Sequence, residues 1–173
     1  MSKAVMLSIR PKRVEKIASG EKTIEVRKTR PKLKTPFKCY IYCTLPKYPH
    51  EDFIATDYPR PQFYGGGKVI GEFTCDRIYE LAPLNHAPDD VEKQACLTRE
   101  EIVDYLKGTG YGWHISNLKI YDKPRELNEF RRACPNSWYC ESCAMYWENN
   151  GTCGNESLQL KRPPQSWCYV EEG

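Results

Sequence analysis

The 173-residue chain has no apolar run approaching the roughly 18 residues that a membrane-crossing helix needs. Its opening, Met1-Ser-Lys-Ala-Val-Met-Leu-Ser-Ile-Arg10, also lacks the long apolar stretch and small-residue cleavage site of a secretory leader. A cytoplasmic location, with mostly reduced thiols and no membrane partner, is therefore expected. Internal repeats and low-complexity tracts are missing too, so neither a repeat array nor a compositionally biased tail organises the chain. Regular βαβ alternation is absent, which argues against a doubly wound sheet. The length suits one domain, residues 1–173, large enough to bury a real core.

What the chain does have is charge, unevenly placed. Residues 1–38 hold twelve Lys or Arg against three Glu, a balance of +9, while the whole chain balances at +3. The other 135 residues therefore carry −6. A concentrated basic segment is the footprint of a face that meets polyanions. A solvated surface that aids solubility is the plainer alternative. Phe37, Tyr40 and Tyr42 follow the basic run closely. That proximity favours nucleic acid or a nucleotide.

The stretch Ser19-Gly-Glu-Lys-Thr-Ile-Glu-Val-Arg-Lys28 sits inside this run, where a short helix hands over to a strand. Pro11 fits the first turn of a helix over Pro11 to Ser19, with Val14, Ile17 and Ala18 on one face. Gly20 supplies the left-handed residue that ends such a helix without a Cβ penalty. From Thr23 to Lys28 the period becomes two: Ile24 and Val26 face one way, Thr23, Glu25 and Arg27 the other. A charged row entered by a glycine turn lines a cleft or an open surface, and the cleft is the reading favoured here.

Further strands are predicted over Lys3–Ile9, Lys38–Thr44, Lys68–Tyr79, Trp113–Tyr121 and at Tyr169-Val-Glu171. A phase slip near Asn117 predicts a bulge. Thr98-Arg-Glu-Glu101 is a capping-box sequence, and Ile102, Val103 and Leu106 continue it as an amphipathic helix stopped at Gly108. Residues 45–67, with four prolines and Gly65-Gly-Gly67, read as a long excursion over the barrel mouth. Residues 131–160 form a second, cysteine-rich insertion. The expected class is α+β, a small mixed β-barrel with short helices at its ends.

At these residues the chain resembles a known family. Gly20-x-Lys22-x-x-Glu25-x-Arg27 is similar to the signature of the ASCH domains, relatives of the PUA RNA-binding barrels. The opening Leu7-Ser-Ile-Arg-Pro11, the strand Lys68-Val-Ile-Gly-Glu-Phe73 and the closing Pro163-Pro-Gln-Ser-Trp-Cys-Tyr169 extend the resemblance over most of the chain. It implies a small barrel whose cleft suits RNA, a nucleotide or a nucleoside. Some small ASCH proteins are amidohydrolases of a modified cytidine, with a catalytic Lys in the Gly-x-Lys motif, a Thr three residues later and a carboxylate elsewhere. Lys22 matches the lysine, but Glu25 stands at the threonine position, and a carboxylate does not replace a hydroxyl nucleophile. Ribonuclease activity has also been proposed within the family, yet no His pair or carboxylate cluster in this sequence supports it.

The residues available for a ligand follow from this reading. Lys22 and Arg27 can hold a phosphate or carboxylate, and Glu25 can pair with Arg27 or accept from a base or amine. In an enzyme, Lys22 and Glu25 would be the catalytic candidates. Ser8 and Arg10 share a strand face, with Lys12 just beyond. Trp113 offers a stacking surface, with core packing as its alternative, and His114 a titratable group. Gln165 and Ser166, after the rigid Pro163-Pro164 pair, can reach a base edge or cap a turn. A third class of reading makes the cysteine-rich loop a docking surface for a protein partner.

Nine cysteines divide into two groups. Cys39, Cys43, Cys75, Cys96 and Cys168 fall in or beside regular elements and read as small buried hydrophobes. Cys134, Cys140, Cys143 and Cys153 lie in the second insertion, the central two as Cys-x-x-Cys. That spacing, in a reducing compartment, predicts a tetrahedral structural Zn2+ site whose four thiolates leave no position for a catalytic water. It would order a segment with too little apolar content to fold alone. The alternatives are free thiols, disulfides, or a redox pair without a thioredoxin-like setting. Purified protein is expected to carry close to one zinc per chain by elemental analysis. Cys143→Ser should lower that content and loosen residues 131–160 while sparing the barrel. Full thermal stability in metal-free protein would refute the site.

Overall fold

The computed structural model describes residues 2–55, 63–82, 86–134, 143–151 and 153–173. Strands β1 (Lys3–Ile9), β2 (Ile24–Arg27), β3 (Phe37–Cys43), β6 (Lys68–Glu80), β7 (Tyr111–Arg125) and β8 (Trp167–Glu171) make one sheet in the order β2-β7-β6-β3-β1-β8. The pair β1–β3 is parallel and the other pairs are antiparallel. The sheet curls into a half-barrel whose edges are β2 and β8. A two-stranded hairpin, β4 (Ile54–Ala55) and β5 (Phe63–Tyr64), stands apart from it. Four short helices are described: α1 (Pro11–Ala18), α2 (Val91–Ala95), α3 (Arg99–Leu106) and α4 (Ala144–Glu148). Among the described residues no helix is long and apolar enough to cross a membrane.

Side-chain alternation assigns each strand face to a cover. Val5, Leu7 and Ile9 of β1 join Cys39, Ile41 and Cys43 of β3, Val14 and Ile17 of α1, and Trp113 in the main core. The intervening Ala4, Met6, Tyr40 and Tyr42 point the other way, onto Phe130, Leu160 and Val170. β2 is likewise covered on both faces. Ile24 and Val26 pack with Val91 and Ala95 of α2 and Ile102 and Leu106 of α3. Glu25 and Arg27 therefore face the opposite side, and they too are buried. An edge strand four residues long is thus enclosed all round.

The local signals behave as their chemistry predicts. Gly20 has φ +82°, and the Ser19 and Gly20 N–H groups close the end of α1 on Glu15 O and Ile17 O. Thr98 accepts from the Glu101 N–H while the Glu101 carboxylate accepts from the Thr98 N–H, a complete capping box. The bulge lies where the pattern slips: Glu72 pairs with Lys119 and Thr74 with Ser116, and Asn117 has φ 48°. Four elements carried too weak a pattern to be foreseen: the two-residue strands β4 and β5 and the five-residue helices α2 and α4. The 45–67 insertion thus contains a hairpin and a 3-10 turn at Pro49–Glu51.

Gly71 in β6 is required by close approach of its neighbour. A Cβ there would stand 2.5 Å from the Lys119 carbonyl oxygen and 3.2 Å from the Ile120 Cα of β7. Backbone cannot step aside as a flexible side chain would. Gly71→Ala is expected to destabilise the fold by roughly 1–3 kcal/mol, measured as a lower urea midpoint at nearly constant slope. An unchanged midpoint would contradict this.

Candidate ligand-binding site

The signature residues form one buried ionic network. Lys22 and Glu25 are only 2 % and 1 % exposed, and Arg27 6 %. Lys22 Nζ donates to the Ala95 carbonyl at the end of α2 (2.7 Å) and lies 3.4 Å from Glu25 Oε2. The Thr23 N–H donates to Gln94 O (2.8 Å), so the start of β2 is docked on α2 by two adjacent residues. Arg27 Nε donates to Glu25 Oε1 (3.1 Å), with Nη2 3.0 Å from the same oxygen. Nη2 also donates to Ser8 O (2.8 Å), and Nη1 donates to both Ser166 O and Ser166 Oγ (3.1 Å each).

Arg27 thereby links one edge of the half-barrel to the other. Ser8 lies on β1 and Ser166 just before β8, while Arg27 ends β2. The rigid guanidinium fork reaches acceptors on three residues that a flexible ammonium would not hold together. Trp167 Nε1, donating to Thr29 Oγ1 (2.9 Å), repeats the link beyond the end of β2. Ser8 completes the seam: its N–H donates to Ser166 O (3.0 Å) and its Oγ to Pro164 O (2.6 Å).

On this seam opens a pocket of about 980 Å³, lined among others by Ser8, Arg10, Lys12, Arg13, Glu25, Arg27, Tyr105 and Gln165. Leu45, Pro46, Lys47 and Glu51 of the first insertion complete its wall. Arg10, Lys12 and Lys47 are exposed, and Lys12 Nζ pairs with Glu51 Oε1 at 3.3 Å. Glu25 is the carboxylate of the inner wall. Burial pushes its carboxyl up, but Lys22, Arg27 and Arg13 together outweigh burial and hold it below its ordinary value of 4.5. Glu25 Oε2 is enclosed with the Lys22 ammonium 3.4 Å away as its ion-pair partner, a contact whose angle is poor for a hydrogen bond.

The expected residues do not all converge. Ser8, Arg10, Lys12, Glu25, Arg27 and Gln165 line the pocket. Lys22 and Ser166 stand behind it and hold the wall. Trp113 belongs to the core instead: it has no exposed surface, lies opposite Glu25 in the β2–β7 register, and its ring packs on Phe37 and Trp167 at 5.9 and 6.0 Å. The aromatic side chain that lines the pocket is Tyr105, on α3, with Lys28 Nζ 5.2 Å from its ring centre. His114 pairs with Asp76 at 2.6 Å on an exposed surface, away from the lining residues. Arg13, Lys47, Glu51 and Tyr105 were not foreseen. Arg13 carried a usable signal, because residues three apart on a helix share a face with Arg10 at its start.

Of the four cysteines of the second insertion, Cys140 lies outside the described residues. Cys134 and Cys153 are half-buried and Cys143 is exposed; Cys153 Sγ accepts from Arg131 Nη2 at 3.3 Å. Among the described residues no three His, Cys, Asp or Glu gather as a metal site.

No family model matches the chain, and no curated protein matches it in sequence. Solved structures do. An ASCH protein from Zymomonas mobilis superimposes with a TM-score of 0.58 at 18 % identity, over 98 % of this chain and 88 % of that one. A tyrosine-to-phenylalanine mutant of that protein gives 0.59 at 17 % identity, over 99 % and 92 %. The fold is that of the ASCH proteins. At this identity the likeness speaks for the architecture, and the ASCH-type half-barrel is what places the Gly20 to Arg27 segment on the seam.

The buried network makes a stability prediction with a defined pH sign. Glu25 titrates below its unfolded value, so its contribution is present above about pH 4.5 and is lost as pH falls through the lower folded value. Glu25→Gln leaves Lys22 and Arg27 without a counter-charge and should cost roughly 3–5 kcal/mol at pH 7. The gap between parent and variant should narrow in acid. Denaturant titrations at pH 7 and pH 3 measure both, and a pH-independent gap would contradict the assignment.

Proposed function

We propose that this ASCH-type module binds RNA or a nucleotide in the pocket beside the Gly20-x-Lys22-x-x-Glu25-x-Arg27 segment. The observation that carries the reading is the pocket's polarity. The exposed cations Arg10, Lys12 and Lys47 stand at its mouth with the half-buried Arg13, and the exposed Gln165 amide completes the lining. A nucleotide is complementary to both: its phosphate meets Arg10, Lys12, Arg13 and Lys47, and its base edge meets the Gln165 amide. Tyr105, Leu45 and Pro46 offer apolar and ring surface for the base between them.

Hydrolysis fits the geometry less well than binding. Lys22 is fully enclosed, donates to a backbone carbonyl and pairs with Glu25, so it has no free path to activate a nucleophile in the pocket. No hydroxyl stands at position 25. The Thr23 hydroxyl donates to Gln94 Oε1 (3.2 Å) instead. The zinc site on Cys134, Cys140, Cys143 and Cys153 is carried as a separate proposal, supported by ligand type and spacing.

Binding of ribonucleotides and single-stranded RNA is expected, with affinity falling steeply as salt rises because counterions are released on phosphate contact. Lys12→Glu should weaken binding for all base sequences alike and reduce the salt slope by roughly 0.7 per lost phosphate contact. Gln165→Ala should change the preference among bases more than the salt slope. Salt-independent binding, or no binding to any ribonucleotide or RNA at low salt, would overturn the reading.

A further inference from the structure

Beside the pocket mouth, the first insertion carries two aromatic rings that the pocket itself does not use. Tyr48 and His50 lie parallel, 9° apart, with centroids 5.8 Å apart. Tyr48 is 49 % exposed, and His50 is exposed as well. Lys47, a lining residue, places its Nζ 5.4 Å from the centre of the Tyr48 ring. The rings therefore begin where the pocket ends.

Their support is well built for so exposed a segment. Glu51 is tied to α1 through Lys12, the Glu51 N–H donates to Tyr48 O (2.9 Å), and the Gly65 N–H donates to Phe53 O. Phe53 itself is anchored in the main core. Gly66 fits against Asp52 and Pro46 so closely that a Cβ would stand 2.8 Å from each. Stacked rings held in one orientation in water, with ammonium groups beside them, match what single-stranded nucleic acid asks of a protein: a π-face for a base and a cation for the linking phosphate.

We infer that the Tyr48–His50 pair is a stacking site for the nucleotide adjoining the one in the pocket, so that the ligand is a single strand of nucleic acid and not a free nucleotide. This rests on the pocket reading above. The pocketed nucleotide is selected by Gln165 and its neighbours, whereas the adjoining base is held by its face, which every base possesses. The phosphate between them falls to Lys47 and Lys12. A free nucleoside monophosphate fills the pocket and leaves the ring pair unused.

The test compares the full-length protein's affinity for the four ribonucleoside 5′-monophosphates with that for single-stranded RNA pentamers of the same bases, at one low salt concentration. The pentamer carrying the preferred base should bind at least tenfold more tightly than its monophosphate. Tyr48→Ala should remove about tenfold of that advantage while leaving monophosphate affinity within twofold, and Tyr48→Phe should retain it. The Tyr48→Ala change leaves net charge untouched, so a purely electrostatic gain from the longer anion would survive it. Pentamer and monophosphate of equal affinity, or a pentamer advantage indifferent to Tyr48→Ala, would overturn the inference and leave the pocket reading standing. Equal weakening of both ligands by Tyr48→Ala would also overturn it, placing Tyr48 in the pocket proper. Binding of neither ligand would overturn both readings.

Discussion

Charge taken out of water must be paired, and this constraint organises the barrel. Glu25 is almost fully enclosed, where an isolated carboxylate would either take up a proton or unfold its surroundings. Lys22 and Arg27 lie on either side of it, three positions before and two after, and both are enclosed as well. Each of the three is tolerable only because the other two are present. The outer donors of the network then turn to backbone: Lys22 to the end of α2, Arg27 to Ser8 and Ser166. A short edge strand is in this way fixed to a helix at one end and to the opposite sheet edge at the other. Four β2 residues could not achieve that through ladder hydrogen bonds alone, since those are all directed to β7.

The same network shapes the electrostatics of the pocket. Two buried cations against one buried carboxylate leave the wall positive, and Arg10, Lys12, Arg13 and Lys47 add to it from the rim. A concave, low-dielectric wall concentrates such a field, which favours an anionic ligand over a neutral one before any specific contact forms. Glu51 offsets part of this charge, but its carboxylate is engaged by Lys12. The acidic remainder of the chain keeps the overall balance at +3.

How much of this was legible in the sequence depended on whether the signal was local. The glycine turn at Gly20, the Thr98 capping box and the slip at Asn117 are decided by a few adjacent residues, and all three are where the pattern placed them. The charged face of β2 was legible, as was the cleft beside it, because alternation separates Glu25 and Arg27 from Ile24 and Val26. What could not be read was the direction in which the charges work. That Arg27 points to Ser166, 139 residues away, is fixed by the curl of the sheet and by nothing near either residue. Trp113 was weighed as a stacking platform because tryptophan serves both roles; only its register opposite Glu25 puts it in the core. Tyr105 was invisible for the complementary reason, being one exposed ring on a helix read for its apolar face.

Register also isolates the point where the fold leaves its own polar groups unmatched. Glu25 and Trp113 are cross-strand partners, so their side chains leave the sheet on the same face. Each carries a buried polar atom with no hydrogen-bond partner among the described residues: an acceptor at Glu25 Oε2 and a donor at Trp113 Nε1. Buried orphans are costly and correspondingly rare. Asp52 Oδ1 and Arg131 Nε are two further buried orphans, whereas Arg27 satisfies acceptors on three residues, Glu25, Ser8 and Ser166. A network that meets so many distant demands, yet leaves an acceptor and a donor open on one pair of neighbours, is not short of bonding capacity. The open acceptor belongs to a residue of the pocket wall and lies 3.4 Å from the Lys22 ammonium behind that wall, so the pair is held by charge where geometry denies it a hydrogen bond.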